Sequence, residues 1–113
     1  MDIISKSNEL EVLPAEFIGK GNQKGFLFSL IKRNNNICLF RKADTESEQA
    51  WFEVIVVRIQ KENTFNIGGV PVYFNSKELY PNNELFGIYG WCYGTESMAW
   101  EKFNALTTEA KSE

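Results

Sequence analysis

The sequence contains no histidine, only two cysteines and three prolines among its 113 residues, and no long apolar run. Without histidine, Ser-His-Asp and Cys-His catalysis are excluded, together with every zinc motif that needs imidazole. The longest apolar runs, such as Val54–Val57, have the length of a strand and cannot cross a bilayer. Residues 1–20 lack the apolar core of a signal peptide, so we expect a soluble, cytoplasmic protein with reduced thiols.

Aromatic side chains are what the chain has in abundance. Nine Phe, four Tyr and three Trp supply enough ring surface to build a core in a chain of this length. Lys and Arg total 12 and Asp and Glu total 15, which gives a net charge of −3. This composition indicates one globular domain over residues 1–113, in which residues 1–15 form a loose N-terminal arm or a short edge element.

Alternating apolar and polar positions predict a series of strands. The predicted strands are Phe26–Arg33, Ile37–Arg41, Trp51–Lys61 and a hairpin over Phe65–Phe74. Asn34–Asn36 and Gly68-Gly69 predict the reversals, because both residue types accept left-handed backbone. Trp51–Lys61 is apolar on both faces, which indicates a strand covered on both sides. Residues 75–94 lack a period and are expected to be irregular but packed.

The last predicted element is a helix over residues 95–110. Thr95 is a suitable N-cap, and Glu96 puts a negative charge in the first turn, where it suits the helix dipole. Apolar residues recur at helical spacing on one face: Ala99, Phe103, Leu106 and Ala110. The predicted fold class is therefore α+β, an antiparallel sheet of about four strands with one C-terminal helix packed on it.

Three features suggest chemistry, and each has a plainer interpretation. The loop Gly19–Gly25 lacks the Ser or Thr and the following helix of a phosphate-binding loop, so a flexible loop is expected. Cys38 and Cys92 have no neighbour that would lower a thiol pKa and are expected to be buried and inert. The acids 44, 46 and 48 are expected to be solvated, although alternating acids can bind a hard cation. We expect no cofactor, no metal and no enzymatic activity.

Glu53 stands inside the apolar strand Trp51–Lys61. A carboxylate in this position points outward, pairs with a basic neighbour or acts as a perturbed acid. A closed apolar pocket lined by Glu53 would favour a small ligand-binding domain or enzyme, which is one alternative function. A solid core would exclude that alternative.

The stretch from Phe17 to Lys42 contains six basic residues and no acidic one. The basic residues are Lys20, Lys24, Lys32, Arg33, Arg41 and Lys42. With Phe26, Phe28 and Phe40 nearby, this hairpin predicts another alternative function, the binding of single-stranded nucleic acid. The plainer interpretation is a solvated rim with the phenylalanines in the core, and the net negative charge argues against strong non-specific binding.

The middle and end of the chain resemble a set of small bacterial and phage proteins. The resemblance covers roughly residues 24–106 and rests on Lys24-Gly25-Phe26, Ile31-Lys32-Arg33, Trp51-Phe52-Glu53-Val54, the Tyr-Pro-x-Asn-Glu-x-Phe-Gly segment 80–87, Trp91 and Glu101–Leu106. It implies an architecture and an association with phages or mobile elements. The order of four strands and a helix is also similar to small single-strand-binding coactivator and PUR-type modules, on topology alone.

The phage resemblance favours a non-enzymatic binding protein. The most specific hypothesis is an inhibitor of a host defence nuclease of the CRISPR type, which contacts the effector protein and its guide RNA. Trp and Tyr are good interface anchors, so we predict that the partner protein is contacted by Trp51, Tyr73, Tyr80 and Tyr89. The expected state is a monomer or a homodimer, because the strand apolar on both sides leaves room for a dimer across the sheet.

Overall fold

An antiparallel sheet with a helix against one face forms the body of the computed structural model, which describes residues 10–111. The elements are β1 (Glu16–Ile18), β2 (Phe26–Asn34), β3 (Ile37–Asp44), β4 (Ala50–Val56), β5 (Arg58–Gln60), β6 (Asn63–Ile67), β7 (Val70–Phe74), β8 (Lys77–Leu79), β9 (Gly90–Tyr93) and α1 (Glu96–Lys111). Within the described residues, the main sheet has five strands in the order β1-β2-β3-β4-β9. The predicted α+β class is confirmed.

The hairpin of β2 and β3 is the centre of the main sheet. It turns at the predicted asparagines, where Asn35 has a φ of +57° in the left-handed region that Asn tolerates. All four residues from Ile37 to Phe40 are buried, because neighbouring strands lie on both edges of β3 and other elements cover both faces. β3 is therefore the most deeply enclosed strand that the structure describes, whereas β2 beside it buries only Phe28.

A β-bulge interrupts the pairing of β2 with β3. Leu30 pairs with Phe40, and the next residue of β3, Leu39, pairs with Lys32. Ile31 is thus an extra residue that has no partner on β3. The bulge keeps Leu30 on one face of the sheet and places Lys32 on the other.

The two faces of the sheet bury separate apolar clusters. The front face, opposite the helix, buries Phe28, Cys38, Phe40, Ile55 and Val57. The helix face buries Ile37, Leu39 and Val54 together with Ala99 and Phe103 of α1. The interior strands β3 and β4 contribute to both clusters, which confirms the prediction that the strand beginning near Trp51 is covered on both sides.

Helix α1 begins where the sequence predicts. The Met98 amide donates a hydrogen bond of 3.4 Å to Thr95 Oγ1, which is the expected N-cap contact. Ala99 and Phe103 are buried against the sheet and Leu106 is half-buried there, while the Ala110 side chain lies outside the described part of the chain. Among residues 10–111, no helix has the length and apolarity that a membrane crossing requires.

The edge strands differ from the prediction. β9 lies in the segment that was expected to be irregular, and β1 was not predicted at all. The predicted strand Trp51–Lys61 is broken at Val57, whose amide donates to the Asn36 carbonyl oxygen at 2.6 Å, so that β5 leaves the main sheet and pairs with β8. Short edge strands depend on long-range partners, which periodicity along the chain does not report.

The described part of the predicted N-terminal arm is tied down. Glu11 exchanges backbone hydrogen bonds with the start of β8, donating to the Ser76 oxygen at 2.9 Å and accepting from the Glu78 amide at 2.8 Å. The chain around Glu11 therefore runs beside β8, as the second alternative, a short edge element, requires, and residues 1–9 of that prediction lie outside the described residues.

Candidate functional site

The hairpin of β6 and β7 stands apart from the main sheet. Its two strands pair with each other and with no other strand of the described chain. The turn is the predicted Gly68-Gly69, with φ values of +59° and +83° that favour glycine at both positions. All residues from 61 to 71 are exposed, so most of the hairpin has little contact with the body.

One face of this hairpin is apolar. The register pairs Phe65 with Val72 and Ile67 with Val70, so these residues and Phe74 share a face. The hairpin surface is defined here by its four exposed large side chains: Phe65 (43% exposed), Ile67 (55%), Val70 (58%) and Phe74 (40%). The segment from residue 63 to residue 74 contains no charged residue. An exposed, uncharged apolar face is typical of a protein-interaction surface.

A cleft of about 830 Å³ opens on the front face of the main sheet. Its apolar lining comes from β2, from the segment before it and from the segment after β8: Leu13, Phe17, Ile18, Phe28, Leu79, Tyr80, Pro81 and Phe86. Glu53 of β4 also lines the cleft, although its residue is only 5% exposed. The cleft is half-open, so it is neither a closed pocket nor a solid core.

Glu53 is held by partners that are distant in sequence, one of which is its cross-strand neighbour Cys92 on β9. The Tyr80 hydroxyl donates a hydrogen bond of 2.6 Å to Glu53 Oε1, and Lys42 Nζ lies 3.5 Å from Oε2. Burial, with the nearby Glu53 charge, raises the pKa of Tyr80 well above its ordinary value, which keeps the phenol a neutral donor. Of the three outcomes considered for Glu53, the structure shows pairing with a basic neighbour.

Aromatic rings fix the position of Tyr80. Its ring meets Phe28, Phe40 and Phe17 edge-on at centroid distances of 5.4, 5.5 and 5.8 Å. Phe17 and Phe28 stack on each other at 5.0 Å. Because these contacts are favourable ring geometries in a packed cluster, the hydroxyl has little freedom to leave Glu53.

The four predicted protein anchors do not form one exposed surface. Tyr80 belongs to the cleft, half-buried Trp51 packs against Phe26 at 5.8 Å, and half-buried Tyr89 lies beneath the Arg58 guanidinium. Tyr73 lies on the exposed hairpin, but on the face opposite the hairpin surface, where its hydroxyl donates to the Glu62 carboxylate. Restricting anchors to Trp and Tyr missed the apolar face, which alternation along the strands would have revealed.

The register divides the predicted nucleic-acid residues of the β2–β3 hairpin between two faces. Arg33 pairs with Cys38 and so lies on the front face with Lys42, whereas Lys32 and Arg41 lie on the helix face. The last two predicted residues, Lys20 and Lys24, are exposed beside the short 3-10 turn Gly21–Gln23. The six side chains therefore do not line one continuous basic surface.

Arg33 is committed to an ion pair. Its guanidinium donates two hydrogen bonds, of 2.8 and 2.6 Å, to the two carboxylate oxygens of Glu78, which also accepts the Leu13 amide at 3.0 Å. The Arg33 hydrogen bonds, with help from the Leu13 amide, lower the pKa of the Glu78 carboxyl. This clasp joins β2, β8 and the segment that forms one wall of the cleft.

The two cysteines occupy different environments. Cys38 is buried in the front cluster as predicted, and burial raises its pKa to about 11, which favours the neutral thiol over the nucleophilic thiolate. Cys92 is exposed, so the expectation that both thiols are buried is wrong for Cys92. The reason is that β9 is an edge strand of the main sheet.

The acidic loop after β3 forms a local turn. The Glu46 amide donates to Asp44 Oδ1 at 2.9 Å, which is an ordinary Asx-type contact. Over residues 10–111, no three His, Cys, Asp or Glu side chains gather in a way that could hold a metal ion.

Comparison with protein-family models, characterised proteins and solved structures gives no match for this chain. Function is therefore inferred from the chemistry of the hairpin surface and of the cleft.

Proposed function

We propose that this protein is a non-enzymatic binding protein that contacts a partner protein through the hairpin surface. The observation that carries the proposal is an amphipathic hairpin whose apolar face is exposed and whose turn is preorganised by two glycines. Covering that face removes apolar area from water, which is the main favourable contribution to protein association. Phe65 and Phe74 pack edge-on at 5.4 Å and would present a rigid aromatic pair to the partner.

The absence of charge on the hairpin defines the chemistry of the partner. An uncharged surface fits an apolar recess or an unpaired strand edge, to which β6 or β7 would add main-chain hydrogen bonds. Binding of this kind depends little on ionic strength, because no ion pairs are formed. This salt response separates the hairpin from the basic-hairpin alternative, whose affinity would fall steeply with salt.

The phage resemblance supports a specific form of the proposal. A small protein with one apolar projection can inhibit a larger enzyme by occupying a surface that the enzyme needs, and a host defence nuclease with its guide RNA is such a target. The proposed place of action is the cytoplasm, as the small number of cysteines suggests. The division of the basic residues between two faces favours protein contact over contact with the guide RNA.

The test is a pull-down from host lysate with the tagged full chain, followed by reconstitution with the purified target. The double variant Phe65→Ser/Ile67→Ser removes half of the hairpin surface. We expect its affinity for the target to be at least about tenfold lower, which is a typical effect of removing hot-spot residues from an interface. The matched control is Ile88→Ser/Met98→Ser, which changes two apolar residues that are equally exposed but lie elsewhere.

Three results would contradict the proposal. The first is retention of the same target by the hairpin double variant. The second is capture of nucleic acid alone, released by moderate salt, which would favour the basic-hairpin alternative. The third is a dimer of the free chain in sedimentation that the hairpin double variant abolishes, because the surface would then be covered by a second copy.

A further inference from the structure

The cleft on the front face has the size and lining of a small-molecule site, and it is separate from the hairpin surface. Its volume of about 830 Å³ lies within the usual range for such sites. Its walls are mainly apolar and aromatic, and a few polar groups lie among them, which is the composition that gives both affinity and orientation.

The first polar group is Glu53. Its carboxylate accepts hydrogen bonds from Tyr80, Lys42 and the Cys92 thiol, whereas two carboxylate oxygens have capacity for about four. Because Glu53 lines the cleft, its remaining capacity is available to a donor placed there. Lys42 balances the charge of Glu53, so the floor of the cleft is neutral as a pair.

The second polar group is Gln23, the last residue of the short 3-10 turn Gly21–Gln23. Its side-chain oxygen Oε1 is buried and accepts no hydrogen bond from the protein, although the residue lines the cleft. Buried acceptors without a donor are rare in folded proteins. The backbone of Gln23 lies very close to Gly19. A Cβ at position 19 would lie 2.3 Å from the Gln23 carbonyl oxygen, so only glycine fits there.

We propose that the cleft binds a neutral, flat aromatic molecule that donates a hydrogen bond through a ring N–H or an O–H group. The rings of Phe17, Phe28 and Tyr80 offer faces and edges to a flat ligand. Glu53 supplies an acceptor in the cleft, and the unpaired oxygen of Gln23, which water does not reach, supplies a second one when the side chain turns toward the ligand, so both select for a donor. A charged ligand is disfavoured on the floor of the cleft, because Lys42 and Glu53 already neutralise each other there and an added charge would be desolvated without a free counter-charge. Lys20, the other charged residue of the lining, is exposed to water, so it offers an anion only a screened charge.

The test titrates the full chain with four molecules that share the flat indole ring and follows the amide chemical shifts by NMR. Indole is neutral with a donor, 1-methylindole is neutral without one, indole-3-acetate is an anion and tryptamine is a cation. We expect saturable shifts with indole at the amides of Gln23, Glu53 and Tyr80. The affinity of 1-methylindole should be about tenfold lower, since the hydrogen bond to a buried acceptor is lost.

The matched variants are Gln23→Met in the cleft and Gln60→Met, which changes a half-buried glutamine of β5. Gln23→Met should weaken indole binding about tenfold and leave the Tm unchanged or higher, because it removes an unpaired buried acceptor. Gln60→Met should leave indole binding unchanged. If Gln23 instead stabilises the fold, Gln23→Met would lower the Tm. The Tm and the indole affinity together therefore distinguish the two roles.

Several results would overturn the inference. Two concern indole itself: no saturable shifts up to its solubility limit, or shifts confined to residues outside the cleft. Two concern its analogues: equal affinity of indole and 1-methylindole, or tighter binding of either charged analogue than of indole. None of these results bears on the hairpin surface, so the cleft and the proposed protein partner are tested independently.

Discussion

Two hairpins of this protein, β2–β3 and β6–β7, reverse through similar turns but lie in opposite environments. Both reverse through residues with positive φ, at Asn35 in the first and at Gly68 and Gly69 in the second. The β6–β7 hairpin carries its apolar side chains on one face, whereas Ile37–Phe40 of β3 is an unbroken apolar run. In the fold β3 buries these four consecutive residues, and β6 is exposed along its whole length.

The difference teaches that hairpin formation and hairpin burial have separate causes. The turn and the cross-strand register are local, and both hairpins satisfy them. Burial requires neighbours on the edges and faces, and β3 obtains these from β2, β4 and the helix. The β6–β7 hairpin keeps a complete apolar face without such neighbours, which is why a partner is proposed for it.

The largest expected effect compares two phenylalanines in these hairpins. Phe40→Ala in β3 should lower the free energy of unfolding by about 3–5 kcal/mol, because it opens a cavity in the front cluster. Phe65→Ala in β6 should cost less than about 1 kcal/mol, because the ring is already exposed. Urea denaturation monitored by fluorescence measures both values. Equal losses would show that the second hairpin is packed in solution and would break the comparison.

The next effect concerns the ion pair between Arg33 and Glu78, which links the β2–β3 hairpin to β8. Arg33→Met leaves the Glu78 carboxylate without its guanidinium and should lower stability at neutral pH by about 2 kcal/mol, between the values for exposed and buried pairs. The pKa of Glu78 is lowered in the folded state, so its contribution is complete above the ordinary carboxyl value of about 4.3. That contribution is lost as the pH falls through the lowered value.

The pH dependence gives this prediction its control. The stability difference between Arg33→Met and the unaltered protein should therefore shrink below about pH 4. Lys77→Met, which changes an exposed neighbour of Glu78, should show no such trend. A difference that stays constant from pH 7 to pH 3 would mean that the loss comes from packing of the arginine stem and not from the ion pair.

The smallest effect tests the turn of the exposed hairpin. Gly69→Ala places a Cβ at a φ of +83° and should destabilise the hairpin by about 1 kcal/mol. The loss should increase hydrogen exchange at the amides of β6 and β7 and leave β3 unchanged, because local opening does not require unfolding of the body. Asn35→Gly, the matched change in the buried hairpin, keeps an allowed conformation and should alter neither set of amides. Faster exchange in β3 of Gly69→Ala would show that the two hairpins unfold together.

Local signals predicted much of the fold. The asparagine turn, the glycine turn and the Thr95 cap each depend on residues close together in the chain, and each is present where expected. The break at Val57 and the strands β1, β8 and β9 were not predicted, because they depend on partners far away in the sequence. Short segments of three or four residues carry too little alternation to reveal a strand.

The candidate sites were predicted only in part. Sequence reasoning singled out Glu53, Lys42 and Tyr80, but assigned Lys42 to nucleic acid and Tyr80 to a partner protein. The structure brings the three together across separations of 11 and 27 residues. Gln23 was missed, because its unpaired oxygen is a property of three-dimensional packing and leaves no pattern in the chain.

The bulge in β2 has a consequence for how this chain can change over generations. Ile31 has no partner on β3, so loss of that residue would leave Lys32 opposite Leu39 and Arg33 opposite Cys38. Deletion of residue 31 is therefore silent for every facing pair, whereas a deletion elsewhere in β2 would move the following side chains to the opposite face. Descendants of this gene are expected to vary in length at this position before any other in the strand.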